Sequence, residues 1–218
     1  MKLPGADELA PGLWRWTAYH PEWKQDVACV AYTNGTDLAL LDPMLPAEEV
    51  DARRFLRALD REVRDRTRPL HVLVTIRWHK RHASEIAKRY ATRPGSELWG
   101  PSGGAITLSL RENRAADRAR RLPAGIVAFE TCGGEEVVLW LPRAKTVFAG
   151  DALLGGKRKP LRVCPPSWLP EGVAPSDVAR SLQPLTSLPV QLVVPAHGNP
   201  VSEDAAGVLA TALADAAS

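Results

Sequence analysis

The 218-residue chain is 45% hydrophobic and 24% charged, with a formal net charge of +3, which is ordinary for a folded soluble protein. No apolar run approaches the roughly 20 residues that cross a bilayer, and the first residues lack the basic, apolar, small-residue order of a secretory signal. Its three cysteines (Cys29, Cys132 and Cys164) are odd in number and far apart, which argues against a disulfide framework and for a reducing, cytoplasmic setting.

Residues 13–17 and 27–33 read as short strands, the second almost wholly apolar. Asn34-Gly35 is a turn signal between 27–33 and 38–41 and predicts a hairpin whose second arm ends in Leu41-Asp42-Pro43. Residues 47–64 place Val50, Phe55, Leu56, Leu59 and Val63 at helical spacing, opposite a charged face. Pro69 ends that connection. An apolar strand at 71–75 then runs into RWHKRH, residues 77–82. A helix is expected at 84–90, a short strand at 97–99, a loop at 100–104 and an arginine-rich helix within 111–121. Three β-like runs follow at 126–129, 136–141 and 146–149, the last ending in Gly150-Asp151. Residues 155–175, rich in Pro and Gly and without periodicity, predict a long surface loop. A helix at 176–188 takes Ser176 as its N-cap, a buried strand at 191–194 ends in Pro195-Ala196-His197-Gly198, and Ser202 caps a closing helix at 202–216. Hairpins first, then strands alternating with helices in each half, predict two mixed sheets packed together with helices outside. No linker of convincing length interrupts the chain, so residues 1–218 are expected to form one domain.

Four polar positions follow directly on apolar strands: Asp42, the His79/His82 pair, Asp151 and His197. Strand ends hold side chains on a rigid scaffold while the loops beyond stay open to solvent. Imidazole and carboxylate together suit zinc, iron or manganese. His79 and His82 are three residues apart, so on one helical turn they would face the same way. His20 and His71 read as structural histidines, and Cys132 and Cys164 as structural cysteines. Arg77, Lys80 and Arg81 sit among the candidate ligands and oppose a metal. A cation about 4 Å from a dication is disfavoured by roughly 8 kcal/mol at an effective dielectric near 20, so an arginine pointing into the site would defeat metal binding and one pointing out need not. The arginine-dense stretches 111–121 and 155–162 read as solvated faces, which makes a nucleic-acid partner the least favoured.

The series LALLDP, VTIRWHKRH, TVFAGDALL and LVVPAHG resembles, in order and spacing over residues 8–205, the metallo-β-lactamase superfamily. Its hydrolases include glyoxalase II-like thioesterases, lactonases and RNases. The resemblance implies an α/β fold, a four-layer αββα sandwich with a metal site at one edge between the sheets. The family's H-x-H-x-D-H motif falls on residues 77–82, with Arg77 in place of its first histidine and Arg81 in place of its aspartate. The next family histidine falls near Thr131 or Cys132, where none is present. The bridging aspartate matches Asp151, the last histidine matches His197, and Asp42 matches an acid that supports the site. The resemblance therefore implies at most one zinc (or iron or manganese), held by His79, His82, Asp151 and His197, and hydrolysis of an ester, thioester, lactone or phosphodiester. The metal-free alternative pairs Arg77 or Arg81 with Asp151 in the metal's place, leaving a non-catalytic protein that binds an anionic ligand. The expected partner is a small-molecule substrate or anionic ligand.

Overall fold

A computed structural model describes residues 1–65, 68–92, 95–100, 119–132, 135–156 and 159–218. The apolar strands are buried on both faces, and their two-residue period feeds two different cores. In β1 (Asp7–Ala10), β2 (Leu13–His20), β3 (Gln25–Thr33), β4 (Leu38–Leu41), β5 (Leu70–Leu73) and β6 (Glu97–Trp99), hydrogen bonding runs in chain order, antiparallel as far as β4 and parallel from β4 to β6. Along β3, Val27, Cys29 and Ala31 face one apolar layer while Val30 and Tyr32 face another.

The second sheet comprises β7 (Ala119–Arg121), β8 (Val127–Glu130), β9 (Val137–Leu141), β10 (Thr146–Phe148) and β13 (Leu192–Val194), in the order β13-β10-β9-β8-β7. Among the described residues of this sheet only β10 and β13 pair in parallel. A small hairpin joins β11 (Leu153–Gly155) to β12 (Leu161–Val163). Leu13, Tyr32, Leu41 and Leu73 of the first sheet pack against Leu139, Leu141, Phe148 and Val194 of the second. The outer face of the first sheet is covered by α1 (Glu49–Asp65) and α2 (Ala83–Arg89) through Phe55, Leu59, Val63 and Ile86. That of the second is covered by α3 (Pro175–Leu182) and α4 (Ala205–Ala217) through Val178, Leu182, Leu209 and Leu213. The layers are αββα, as expected. No helix among the described residues is long and apolar enough to cross a membrane.

The expected hairpin forms between β3 and β4, its turn held by Asn34 Oδ1, which accepts the Thr36 and Asp37 backbone N–H groups. Three expectations are corrected. Residues 155–175 are not one surface loop, because Leu161, Val163 and Cys164 are buried and β12 pairs with β11. Ser176 does not cap α3. The helix begins at Pro175, and Asp177 reaches back to accept the Ala174 backbone N–H at 3.0 Å. Ser202 does not cap α4 either, since that helix begins at Ala205 after Asp204 in a left-handed conformation. The arginine-rich helix expected within 111–121 lies mostly outside the described residues, and its end, Ala119–Arg121, is strand.

Candidate metal centre

Asp42 is the first residue after β4, fully buried at a positive φ of 45°. Its carboxylate organises the end of β5. Oδ1 accepts the Thr75 backbone N–H at 2.7 Å and Oδ2 accepts the Thr75 hydroxyl at 2.5 Å. Oδ2 also takes the Nδ1–H of His79 at 2.7 Å. His79 lies in a single 3₁₀ turn, Arg77–Lys80, and is fully buried. With Nδ1 committed to Asp42, its Nε2 faces Asp151 Oδ2 at 3.2 Å. On the other carboxylate oxygen, His197 Nε2 stands 3.3 Å from Asp151 Oδ1.

Asp151 is presented from the turn after β10, and Glu136 holds that turn. The Glu136 Oε1 accepts the backbone N–H groups of Asp151 and Ala152 at 2.6 and 2.9 Å. Gly150 has φ +54°, and a Cβ there would lie 2.5 Å from Glu136 Oε1 and 2.9 Å from Thr75 Oγ1. The site demands glycine on both counts. His197 follows β13 on a loop tied to both sheets. Ala196 donates to the Gly150 carbonyl, and the Ala196 carbonyl accepts from Ala28 of β3. The Trp78 indole Nε1–H donates to Asp151 Oδ2 at 3.0 Å and fixes the carboxylate's rotation.

Burial opposes a charge on His79, but the Asp42 and Asp151 carboxylates outweigh it and raise its pKa to about 9. Burial also works against the Asp151 carboxylate. His79 and His197 reverse that, and with the Trp78 N–H they hold it well below the usual carboxylate range. Burial, helped by the Asp151 charge, pushes Glu136 up to about 8.

Of the sequence-predicted ligands, His79, Asp151 and His197 come together, with one donor atom of each within 4.8 Å of the others. His82 does not join this group. Its Nδ1 accepts the Leu45 backbone N–H at 3.2 Å. Neither arginine takes the metal's place, because the ion pairs of Asp151 run to the two imidazoles. Arg77 is exposed, 5.5 Å over the Trp78 ring. Arg81 donates to the Asp42 carbonyl at 3.0 Å and lies 5.5 Å over Trp23. Cys132 is exposed and Cys164 buried, both unpaired and outside the donor group.

The donor set fits a metal ion. His79 Nε2 and Asp151 Oδ1 are buried without a hydrogen-bond partner. The separations of 3.2 and 3.3 Å run from the two imidazoles to different oxygens of Asp151, so the carboxylate lies between them, and imidazole with carboxylate is a donor set that zinc accepts. An imidazole whose second nitrogen donates to a carboxylate is the usual supported form of a histidine ligand. Four residues of this neighbourhood gave no signal as site residues in the sequence: Thr75, Glu136, Trp23 and Trp168. Glu136 alone breaks a pattern, as an acid opening an apolar strand.

No family model and no curated protein matches the sequence. Solved structures do match in shape. The metallo-β-lactamase FIM-1 from Pseudomonas aeruginosa, in its mono-zinc form, superposes with a TM-score of 0.65 at 13% identity, over 97% of this chain and 95% of that one. A metallo-β-lactamase from Erythrobacter litoralis gives 0.63 at 13% identity, over 99% and 95% of the two chains. A β-lactamase domain protein from Burkholderia ambifaria gives 0.61 at 18%, over 99% of this chain and 73% of that one. The chain has the metallo-β-lactamase fold.

Proposed function

We propose that this protein is a hydrolase of the metallo-β-lactamase fold, reduced to one metal position held by His79, Asp151 and His197. The observation that carries this reading is the convergence of three donors in which buried His79 Nε2 and Asp151 Oδ1 meet their neighbours only as ion pairs at 3.2 and 3.3 Å, without a formed hydrogen bond. A zinc-class ion there would supply the Lewis acidity for hydrolysing an ester, thioester, lactone or phosphodiester. The chain's own residues prepare the place. Asp42 selects the His79 tautomer that leaves Nε2 free, Trp78 sets the carboxylate's rotation, and Glu136 fixes the turn that presents it. Residues 1–218 act as one domain in this reading, and three unpaired cysteines suit a reducing compartment.

A second reading rests on His79 itself. With a proton on both nitrogens, the imidazolium bridges Asp42 and Asp151 and closes the site without a metal. Elemental analysis of protein purified without chelator, then exposed to zinc, separates the two. About one equivalent of metal, lost in His197→Ala and Asp151→Asn, supports the hydrolase. A folded protein that takes up none supports the imidazolium site and a non-catalytic role.

A further inference from the structure

Above the donor group opens a cleft of about 500 Å³, within the range of small-molecule sites. It is lined by Trp23, Gln25, Trp78, Asp151, Trp168 and His197, so three indoles stand around two of the candidate ligands. Two of the indoles are fixed. Trp23 stacks on His20 with centroids 3.9 Å apart and planes 9° from parallel, and its own backbone N–H donates to His20 Nδ1. Trp78 is held through its N–H on Asp151. Trp168 is 42% exposed and meets His197 edge-on at 5.9 Å, which leaves much of its surface open. Walls set in place before a ligand arrives lower the ordering cost of binding.

Aromatic walls of this kind serve two ligand classes, flat apolar groups and cations. The arginines decide between them. Arg81 already lies over Trp23 and Arg77 over Trp78, each 5.5 Å from the ring centroid. A second cation would find those rings engaged and a guanidinium of like charge close by. An uncharged aromatic group loses nothing to them, whereas an anionic one would face the Asp151 carboxylate that lines the cleft.

We propose that the cleft selects ligands carrying an uncharged planar aromatic group, stacked among Trp23, Trp78 and Trp168, over cationic ones. This rests on the hydrolase reading for its link to substrates, in which the group borne by the scissile bond would be aryl.

The test uses 2-naphthamide, 2-naphthoate and 2-naphthyltrimethylammonium on the full chain, chelator-stripped and zinc-exposed. Indole N–H cross-peaks of ¹⁵N-labelled protein are followed by NMR, with bound metal measured on the same samples. In the chelator-stripped protein naphthamide is expected to move the Trp23, Trp78 and Trp168 signals together, with the cation at least tenfold weaker and naphthoate weaker than naphthamide. Trp168→Ala, at an exposed position, is expected to weaken naphthamide about tenfold, and cyclohexanecarboxamide should bind more weakly than naphthamide in the parent. A cation that binds as tightly as naphthamide overturns the proposal. So does a Trp168→Ala protein whose affinity stays within twofold. Naphthamide binding without metal uptake would fail the mononuclear reading alone, whereas metal uptake without aromatic preference would fail this inference alone.

Discussion

Asp42→Asn tests whether the whole site hangs on one buried carboxylate. Asparagine keeps an oxygen for the Thr75 N–H but turns an amide N–H₂ toward the Thr75 hydroxyl and His79 Nδ1, where Oδ2 now sits. The hydroxyl can become an acceptor. The imidazole must either meet a donor with a donor or give up its Nδ1 proton and become the neutral tautomer whose Nε2–H faces Asp151. In the metal-free protein, the lost ion pair at 2.7 Å between two fully buried side chains is worth roughly 6 kcal/mol of gross attraction at an effective dielectric near 20. Desolvation offsets part of this, and breaking a buried pair ordinarily costs about 3–5 kcal/mol. Because Asp151 still faces the other nitrogen, the expected loss is about 3 kcal/mol. Urea unfolding at pH 6, where His79 carries its proton, measures it. Nitrogen chemical shifts of His79 report the tautomer switch, and zinc affinity should fall about 10- to 100-fold. A variant within about 1 kcal/mol of the parent, with unchanged zinc affinity, would refute both the placement of Oδ2 and the tautomer argument.

Trp78→Phe keeps the ring but removes the N–H on Asp151, and should weaken zinc binding several-fold while costing about 1 kcal/mol in urea unfolding. Gly150→Ala puts a Cβ against Glu136 and Thr75 at a positive φ and should cost at least about 1–3 kcal/mol; Ser84→Ala on α2, outside the site, serves as control. Leu59→Ala, on the inner face of α1 at 0% exposure, should lose about 2–5 kcal/mol in the same assay without changing metal uptake. Asp60 sets a pH dependence. The Arg89 guanidinium and the Tyr90 hydroxyl hold its carboxyl below the ordinary value, so its stabilisation is present above the unfolded pKa and disappears as pH falls through the folded one. Asp60 is partly exposed and its partner Arg89 more so, so Asp60→Asn should cost no more than about 1 kcal/mol at pH 7, and the gap to the parent should close in acid.

The fold was legible because its central strands are buried on both faces. Runs such as VVLWL and LVV need no partner to announce themselves, and the Asn34-Gly35 turn fixes the first hairpin locally. Helix starts were less legible. Ser176 and Ser202 are good caps by type, yet Pro175 opens the first helix one residue earlier with Asp177 reaching back, and Asp204 turns the chain just before the second. The β12 strand is three residues long, too short for a period to show. What makes it a strand is β11 beside it, not its own composition.

The candidate site divides along the same line, and His82 shows why. Three-residue spacing brings side chains to one face only while the helix continues, and here the 3₁₀ turn ends at Lys80. Arg81 follows at φ 34° and ψ −117°, off both helical and extended conformations. That single residue rotates the chain, so His79 points to Asp151 while His82 turns back to the Leu45 amide. The same rotation carries the Arg81 guanidinium past the donor group to the Asp42 carbonyl and the face of Trp23. The electrostatic objection to a metal assumed an arginine pointing inward. A guanidinium spent on a backbone carbonyl and an indole leaves Asp151 to the two imidazoles, so the inward-pointing cation that would exclude a metal is absent from the His79–Asp151–His197 group.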